Sequence, residues 1–248
     1  MPSSSATPQS AWDKLWDEGA NQHATIGPSY RHKIRWLWKM IHQHQVQGKV
    51  LDVACGTGEF LSALSSISTN CTGVDLSQVA LQRAAASNPK AKFRQLDIER
   101  ETLPENFDAV FCTNALEEMK DDESALANMA AMLNSGGYLG LIVPHRMKYW
   151  THVDNFATNQ RRYEADELKT KLERNGLRIV QAVAWGWPLY RFWYGAMSNV
   201  PQEKIWRSAF WKWLACLAAE VAYSLLFIDD LFRTSNRGSI LIVLARKV

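Results

Sequence analysis

The chain has 248 residues, 47% of them hydrophobic and 21% charged, with a formal net charge of +3. That balance is the one folded globular proteins carry and excludes a disordered or collagen-like chain. The length suits one α/β domain of ordinary size with an addition, and the net charge is too small to argue for a nucleic-acid partner. The charge is unevenly spread: from Ile142 onward there are 16 basic and 9 acidic residues, and before it 12 and 16. Cys55, Cys71, Cys112 and Cys216 form no CxxC pair and no zinc-like spacing, so no metal and a reduced, cytoplasmic setting are expected. Met1 to Ser10 is rich in Ser, Pro and Thr and reads as a loose tail rather than a signal peptide. The nearest approach to a membrane span, residues 209–228, is interrupted by Lys212 and Glu220.

Residues 11–45 read as helical, with Trp12, Leu15, Trp16, then Ile34, Leu37, Trp38 and Ile41 at helical spacing. After Gly48 the pattern changes. KVLDVA (49–54) is too short for a helix and runs into glycines, so it is expected to be a buried strand. A helix over 59–67, a strand over 70–75, a helix over 76–87 and a strand over 92–97 follow. Phe107 to Cys112 is a fourth strand, helical segments lie near 115–119 and over 123–133, and YLGLIVP (138–144) is a fifth strand. Residues 164–175 form a further helix closed by Gly176, at a position that favours a left-handed residue. LRIVQAVA (177–184) and SILIVLA (239–245) complete the strands. This alternation predicts a mostly parallel sheet with helices on both faces. Residues 48–184 and 239–248 thus form the core, 11–47 a helical lead-in, and 185–238 an aromatic-rich cap between the last two strands, since so long a connection carries function or its own helices.

The most informative stretch is LDVACGTGEF (51–60). A buried strand enters Ala54-Cys55-Gly56-Thr57-Gly58 and a helix starts. Glycine permits the tight turn and lets a ligand approach the main chain. In open α/β sheets, ligands bind outside the carboxyl ends of the strands, and the first helical N–H groups suit an anionic group. A dinucleotide site asks for G-x-G-x-x-G, but here Ala54 and Leu61 stand at the first and third positions. Asp75 ends the second strand, where a carboxylate can accept both hydroxyls of a ribose. Asp97 ends the third, where it can accept from an adenine amino group or cap a turn. Leu76 and Ile98 follow them and can sandwich a purine. Asp52 is placed to hold an ammonium. Cys55 reads as packing, with nothing basic near it in sequence. A nicotinamide or nucleotide-sugar enzyme is the competing reading of this turn.

The string D-V-A-C-G-T-G, the acidic end of the second strand and the Asp-Ile after the third resemble the class I S-adenosylmethionine-dependent methyltransferases. The resemblance covers residues 48–145, 164–184 and 239–245. It implies a Rossmann-like, seven-stranded sheet with the last strand antiparallel, and S-adenosylmethionine as cofactor. It also implies that Asp52, Ala54, Cys55, Gly56 and Gly58 surround the methionyl end, that Asp75 holds the ribose and Asp97 the adenine, and that Leu76 and Ile98 flank the purine. Asn114, Ala115 and Leu116 would line the sulfonium. Glu117-Glu118 stands where many small-molecule members carry Glu-His, so a histidine base is missing there.

Methyl transfer from a sulfonium is an in-line displacement, so the protein mostly positions the acceptor, with a base where the nucleophile loses a proton. The segment 144–163 offers His145, His152 and Tyr163 as bases. Arg146, Asp154, Arg161 and Arg162 are offered as acceptor contacts, because guanidinium forks suit phosphate or carboxylate. The plainer reading is that these residues tether the segment. Trp185 and Trp187 open the aromatic cap and are expected to touch the acceptor. Along 206–228, Phe210, Trp213, Leu214, Leu217, Val221, Leu225 and Ile228 form one apolar stripe, which reads as core, dimer interface, acceptor pocket or membrane contact.

The expected function is methylation of a small, lipophilic, anionic acceptor: an isoprenoid, quinone precursor, lipid-linked sugar or secondary metabolite. The expected partners are that small molecule, a membrane surface touched peripherally and a second copy of the chain, with no nucleic acid. A methyltransferase of RNA or protein is the second hypothesis. A non-catalytic donor-binding protein that uses the apolar helix as an interface is the third.

Overall fold

The computed structural model describes residues 27–198, 209–233 and 236–248. In chain order the elements are α1 (Pro28–Gln43), β1 (Lys49–Val53), α2 (Glu59–Leu64), β2 (Asn70–Asp75), α3 (Gln78–Ser87), β3 (Lys92–Gln95), β4 (Phe107–Thr113), α4 (Asp122–Ala131), β5 (Leu133–Pro144), α5 (His152–Phe156), α6 (Ala165–Arg174), β6 (Leu177–Trp185), α7 (Leu189–Ser198), α8 (Ala209–Leu225) and β7 (Ile240–Lys247). They build one seven-stranded sheet in the order β3-β2-β1-β4-β5-β7-β6. β7 runs antiparallel to both its neighbours, and the other pairings are parallel. The expected Rossmann-like architecture is therefore the observed one.

The strand sequences are continuous apolar runs because the sheet is covered on both faces. β7 shows this residue by residue. Leu241, Val243 and Ala245 enter one core with α4 and α6. Ile240, Ile242 and Leu244 enter the other, with α1, α2 and the cap. Period-two alternation in an all-apolar string thus feeds two cores.

Several expected boundaries move. β5 begins at Leu133, not Tyr138, and runs through Asn134-Ser135-Gly136-Gly137, which looks like a turn in the sequence. Trp12, Leu15 and Trp16 lie outside the described residues, as do the tail 1–10 and residues 206–208. α1 starts at Pro28, whose fixed φ and missing N–H suit a first helical turn. Its buried face is His32, Trp36, Leu37, Met40 and Ile41, and Trp38 lies at the margin of the core.

The cap is tied to α1 rather than standing apart. Asp230 accepts from Arg35 Nη2 at 2.7 and 2.8 Å and from Trp36 Nε1 at 2.9 Å, and His32 Nε2 pairs with the Tyr223 carbonyl at 2.8 Å. The apolar stripe of α8 does not face the core. Trp213, Leu217, Val221, Leu225 and Ile228 are exposed, Trp213 to 61%, while Ala222 and Leu226 turn inward. The Phe210 side chain lies outside the described set.

Trp185 is fully buried and stacks between His32 and Tyr190, at centroid distances of 5.1 Å to each. Its size and burial make it a keystone of α1, β6 and α7. Trp185→Ala is expected to destabilise the fold by about 3–5 kcal/mol. In a urea titration the midpoint should drop while donor affinity, set at the far strand tips, stays within twofold.

Candidate active site

The turn after β1 is held in a left-handed conformation at three places: Ala54 (φ 55°), Gly56 (φ 54°) and Gly58 (φ 82°). Ala54 bears a Cβ there at a cost of about 1 kcal/mol. Two hydrogen bonds tie the turn to the second strand. Cys55 N–H donates to the Val74 carbonyl at 3.0 Å, and Gly56 N–H donates to Asp75 Oδ2 at 2.9 Å. The other Asp75 oxygen accepts from Ser77 N–H at 2.9 Å. The carboxylate is thereby fixed at the strand tip.

Above these strand tips opens a cavity of about 740 Å³, in the upper part of the range for small-molecule sites. Its strand-tip end is lined by Asp52, Ala54, Cys55, Gly56, Asp75, Leu76, Asp97, Ile98, Asn114 and Ala115. Each of these is among the residues expected from the sequence. Asp97 has both forms expected of it: it lines the cavity, and its Oδ1 caps the next turn by accepting from Glu99 N–H at 3.1 Å.

Two expected donor-site residues do not reach the cavity. Gly58 starts α2, and a Cβ on it would come within 2.7 Å of Asn88 Nδ2 and 3.1 Å of Ala84 Cβ, so its glycine serves the packing of α2 on α3. Leu116 points into the core between the sheet and α4, fully buried.

The strand-tip end is acidic. Asp52, Glu59, Asp75 and Asp97 line it, and Glu117 and Glu118 line the same cavity from the turn after β4. Burial, then the Asp75 and Glu59 carboxylates, push the Asp52 carboxyl well above the ordinary range. Asp52 Oδ2 is buried and has no hydrogen-bond partner. Such an orphaned oxygen costs free energy until a donor satisfies it. A ligand carrying an ammonium and a sulfonium fits this field, whereas the pyrophosphate of a dinucleotide would be repelled by it.

Another part of the lining is aromatic and basic. Tyr149 and Trp150, from the stretch after β5, and Tyr190 and Tyr194, from α7, line it together with Lys148 and Arg191. The Arg191 guanidinium sits 4.1 Å from the Tyr149 ring centre and the Lys148 ammonium 5.2 Å from it. α1 closes the cavity with Ser29, Tyr30 and Lys33. Sequence reasoning missed Tyr30, Lys33 and the α7 residues, because helices otherwise read as lead-in or cap carry them, and it passed over Tyr149 within 144–163 for the charged residues there.

The acceptor residues expected from the sequence are placed differently. His145 is fully buried, with Nδ1 donating to the Gly238 carbonyl at 2.9 Å, and does not line the cavity. His152 opens α5 on the exposed surface. The Tyr163 phenol is buried and donates to Asp122 at 2.8 Å; burial, then the Asp122 carboxylate, push its pKa far above the ordinary phenol value, so it is not available as a base. Arg161 pairs with Asp122 at 2.8 Å. Arg162 and Asp154 do line the cavity, but as a closed two-point pair at 2.8 and 2.9 Å. Arg146 is turned to the Asn236 carbonyl and Glu164. Trp187 packs edge-on to Phe232, and Trp185 is core. Most of this segment therefore tethers the cap stems, and its arginines are already neutralised.

A methyltransferase-domain family model matches residues 28–182, more than half of the chain. The chain belongs to the class I S-adenosylmethionine-dependent methyltransferases. S-adenosylmethionine is accordingly the cofactor that the acidic cradle suits. Among curated relatives, a ubiquinone biosynthesis O-methyltransferase of Dechloromonas aromatica is 31% identical over 121 residues, 46% of this chain and 51% of that protein. One from Pseudomonas fluorescens is 34% identical over 111 residues, 42% of this chain and 47% of its own. The methyltransferase thus spans about half the length of the curated relatives it matches. Among solved structures, the magnesium protoporphyrin IX methyltransferase of Synechocystis, crystallised with bound S-adenosylhomocysteine, matches with a TM-score of 0.57. It covers 89% of this chain and 84% of its own at 12% identity, a likeness of fold.

Asp52→Asn removes a buried carboxyl whose proton affinity is raised by burial and by its acidic neighbours. The variant is expected to melt higher than the parent, by roughly 2–4 °C per kcal/mol relieved, while losing donor affinity. Differential scanning calorimetry with and without S-adenosylhomocysteine measures both. A variant that melts lower and binds normally would contradict the role given to Asp52.

Proposed function

We propose that this protein transfers the methyl group of S-adenosylmethionine to a small, lipophilic, anionic acceptor. The observation that carries this reading is the mixed lining of one cavity: carboxylates suited to a cationic donor at the strand tips, together with aromatic rings, Lys148 and Arg191. Aromatic walls bury a flat apolar body, and the cations sit where an attached carboxylate or phosphate would need them. Within the donor cradle, Asp52 meets the ammonium, Asp75 the ribose hydroxyls, and Asp97 with Leu76 and Ile98 the adenine. The relatives' names describe transfer to oxygen in ubiquinone biosynthesis. Carried to this chain, they favour a quinone precursor with a free hydroxyl among the acceptor classes considered.

The exposed stripe of α8 belongs to the same reading. Trp213, Leu217, Val221, Leu225 and Ile228 present an apolar face, and no described helix is long and apolar enough to cross a membrane. A helix of this kind lies in the plane of a lipid surface, from which a lipophilic acceptor would enter the cavity beside α7.

Incubation with labelled S-adenosylmethionine and a fractionated lipid extract is expected to yield a methylated, chloroform-soluble product. Asp75→Ala should weaken donor binding by about 10–100-fold in calorimetry, the loss of a charged hydrogen-bond acceptor. Retention of the parent affinity would count against the cradle assignment. Label appearing in RNA or protein instead would favour a macromolecular acceptor. Tight donor binding with no product from any extract would favour a donor-binding interaction protein.

A further inference from the structure

The loop after β4 carries a group for which the donor cradle has no use. Glu117 sits in the 3₁₀ turn Leu116–Glu118, is 4% exposed and lines the cavity. Its Oε2 is buried without a hydrogen-bond partner. The turn is pinned from outside by Gln160 N–H, which donates to the Glu117 carbonyl at 2.7 Å, so the main chain that carries the carboxylate is fixed. In the wall of the cavity, this carboxylate is an acceptor without a donor.

We propose that Glu117 is the general base of the methyl transfer, taking the proton of an acceptor hydroxyl as that oxygen is methylated. The inference rests on the methyltransferase reading of the preceding section. The step balances within the cavity. A lone pair of the acceptor oxygen forms the bond to the methyl carbon. The carbon–sulfur bond breaks with its electron pair going to sulfur. The hydroxyl proton passes to Glu117. A sulfonium cation and a carboxylate anion thus become a thioether and a carboxylic acid, so opposite charges vanish together as the transfer proceeds.

The surroundings keep Glu117 suited to this task. From α1, Lys33 lines the same wall and donates to Asn114 Oδ1 at 2.5 Å. From the stretch after β5, Arg162 and Asp154 face Glu117 as a mutually neutralised pair. Glu118 stands next in its own turn, and the Cys112 thiol of β4, buried and held protonated, lies beneath. Burial pushes the Glu117 carboxyl up to about 7 against the pull of Lys33 and Arg162. Burial lowers the Lys33 ammonium to about 8 against the opposing pull of Glu117. At neutral pH Glu117 is therefore partly ionised, and a base poised near the working pH is the effective kind. His145, His152 and Tyr163 do not compete, since none of them lines the cavity.

The test uses the full chain and two hydroxylated probes, 3,4-dihydroxybenzoate and an alkylcatechol. Infrared difference spectra between the parent and Glu117→Gln, taken with S-adenosylhomocysteine absent and present, should contain one carboxyl titrating near neutrality. Lys33→Met should move that titration upward, because the ionised carboxylate loses its countercharge. Glu117→Gln should bind donor within twofold of the parent and lose about 10²–10⁴-fold in kcat. KM should change little, and Glu117→Asp should recover part of the loss. In the parent, kcat should rise with pH through about 7, since Glu117 is competent only when ionised, and the Gln variant should lose that rise. Turnover of Glu117→Gln at the parent rate, absence of the neutral-range carboxyl, or a parent that methylates neither probe would overturn the proposal. Failure of the parent to bind S-adenosylhomocysteine at all would instead sink the methyltransferase reading beneath it.

Discussion

The hydrogen bond from Gly56 N–H to the Asp75 carboxylate is the constraint on which the site depends. It locks the turn after β1 to the tip of β2 at 2.9 Å. Everything acidic in the cavity is arranged about that link. Asp52 precedes the turn, Glu59 opens the helix that follows, and Asp97 and Glu117 stand at the ends of the two strands outside the β1–β2 pair. Like charges gathered this closely repel one another, and burial makes the repulsion worse. The raised proton affinity of Asp52 is the direct expression of that tension. A cationic donor relieves it, so ligand binding and stability are linked in one direction: the protein is at its least comfortable when empty.

The donor half of the site was legible in the sequence because its residues come in short contiguous strings at strand ends. A buried strand followed by a glycine-bearing turn dictates where Asp52, Ala54 and Gly56 must be. The spacing to Asp75 and Asp97 follows from one helix and one strand per unit. The acceptor half was not legible. Lys33, Tyr149, Tyr190 and Arg191 come from α1, the stretch after β5 and α7, which meet only because β7 inserts between β5 and β6 and brings the cap over the sheet. No local pattern encodes that meeting. The segment 144–163 was misleading for a physical reason. Arginine, histidine and aspartate close together in sequence look like a binding site, but here they satisfy one another, as Arg162 and Asp154 do.

The elements themselves were read well where apolar runs were long and poorly where polarity broke them. β7 and β6 lie within a residue or two of expectation. β5 gained five residues at its start, through Asn134-Ser135-Gly136-Gly137, because pairing with β4 resumes on both sides of a bulge and the exposed Gly136 carbonyl is held by Arg246 Nε at 3.0 Å. The α8 stripe shows the opposite limit. Its helical periodicity was plain, but periodicity does not say whether an apolar face looks inward or outward, and most of this one looks outward.

The stems of the cap have a consequence of a different kind. Trp185 and Ile240 face each other across adjacent strands. Ser239 Oγ donates to the Gly186 carbonyl at 3.1 Å, and a Cβ on Gly238 would lie 2.4 Å from the Ala184 backbone. The chain thus leaves and re-enters the sheet through a single sutured gate. What lies between those two points is held at that gate and again at α1, where Asp230 receives Arg35 and Trp36. The cap is thus sewn to the platform along two seams, and Tyr190 and Leu226 carry it into the same core as the strands.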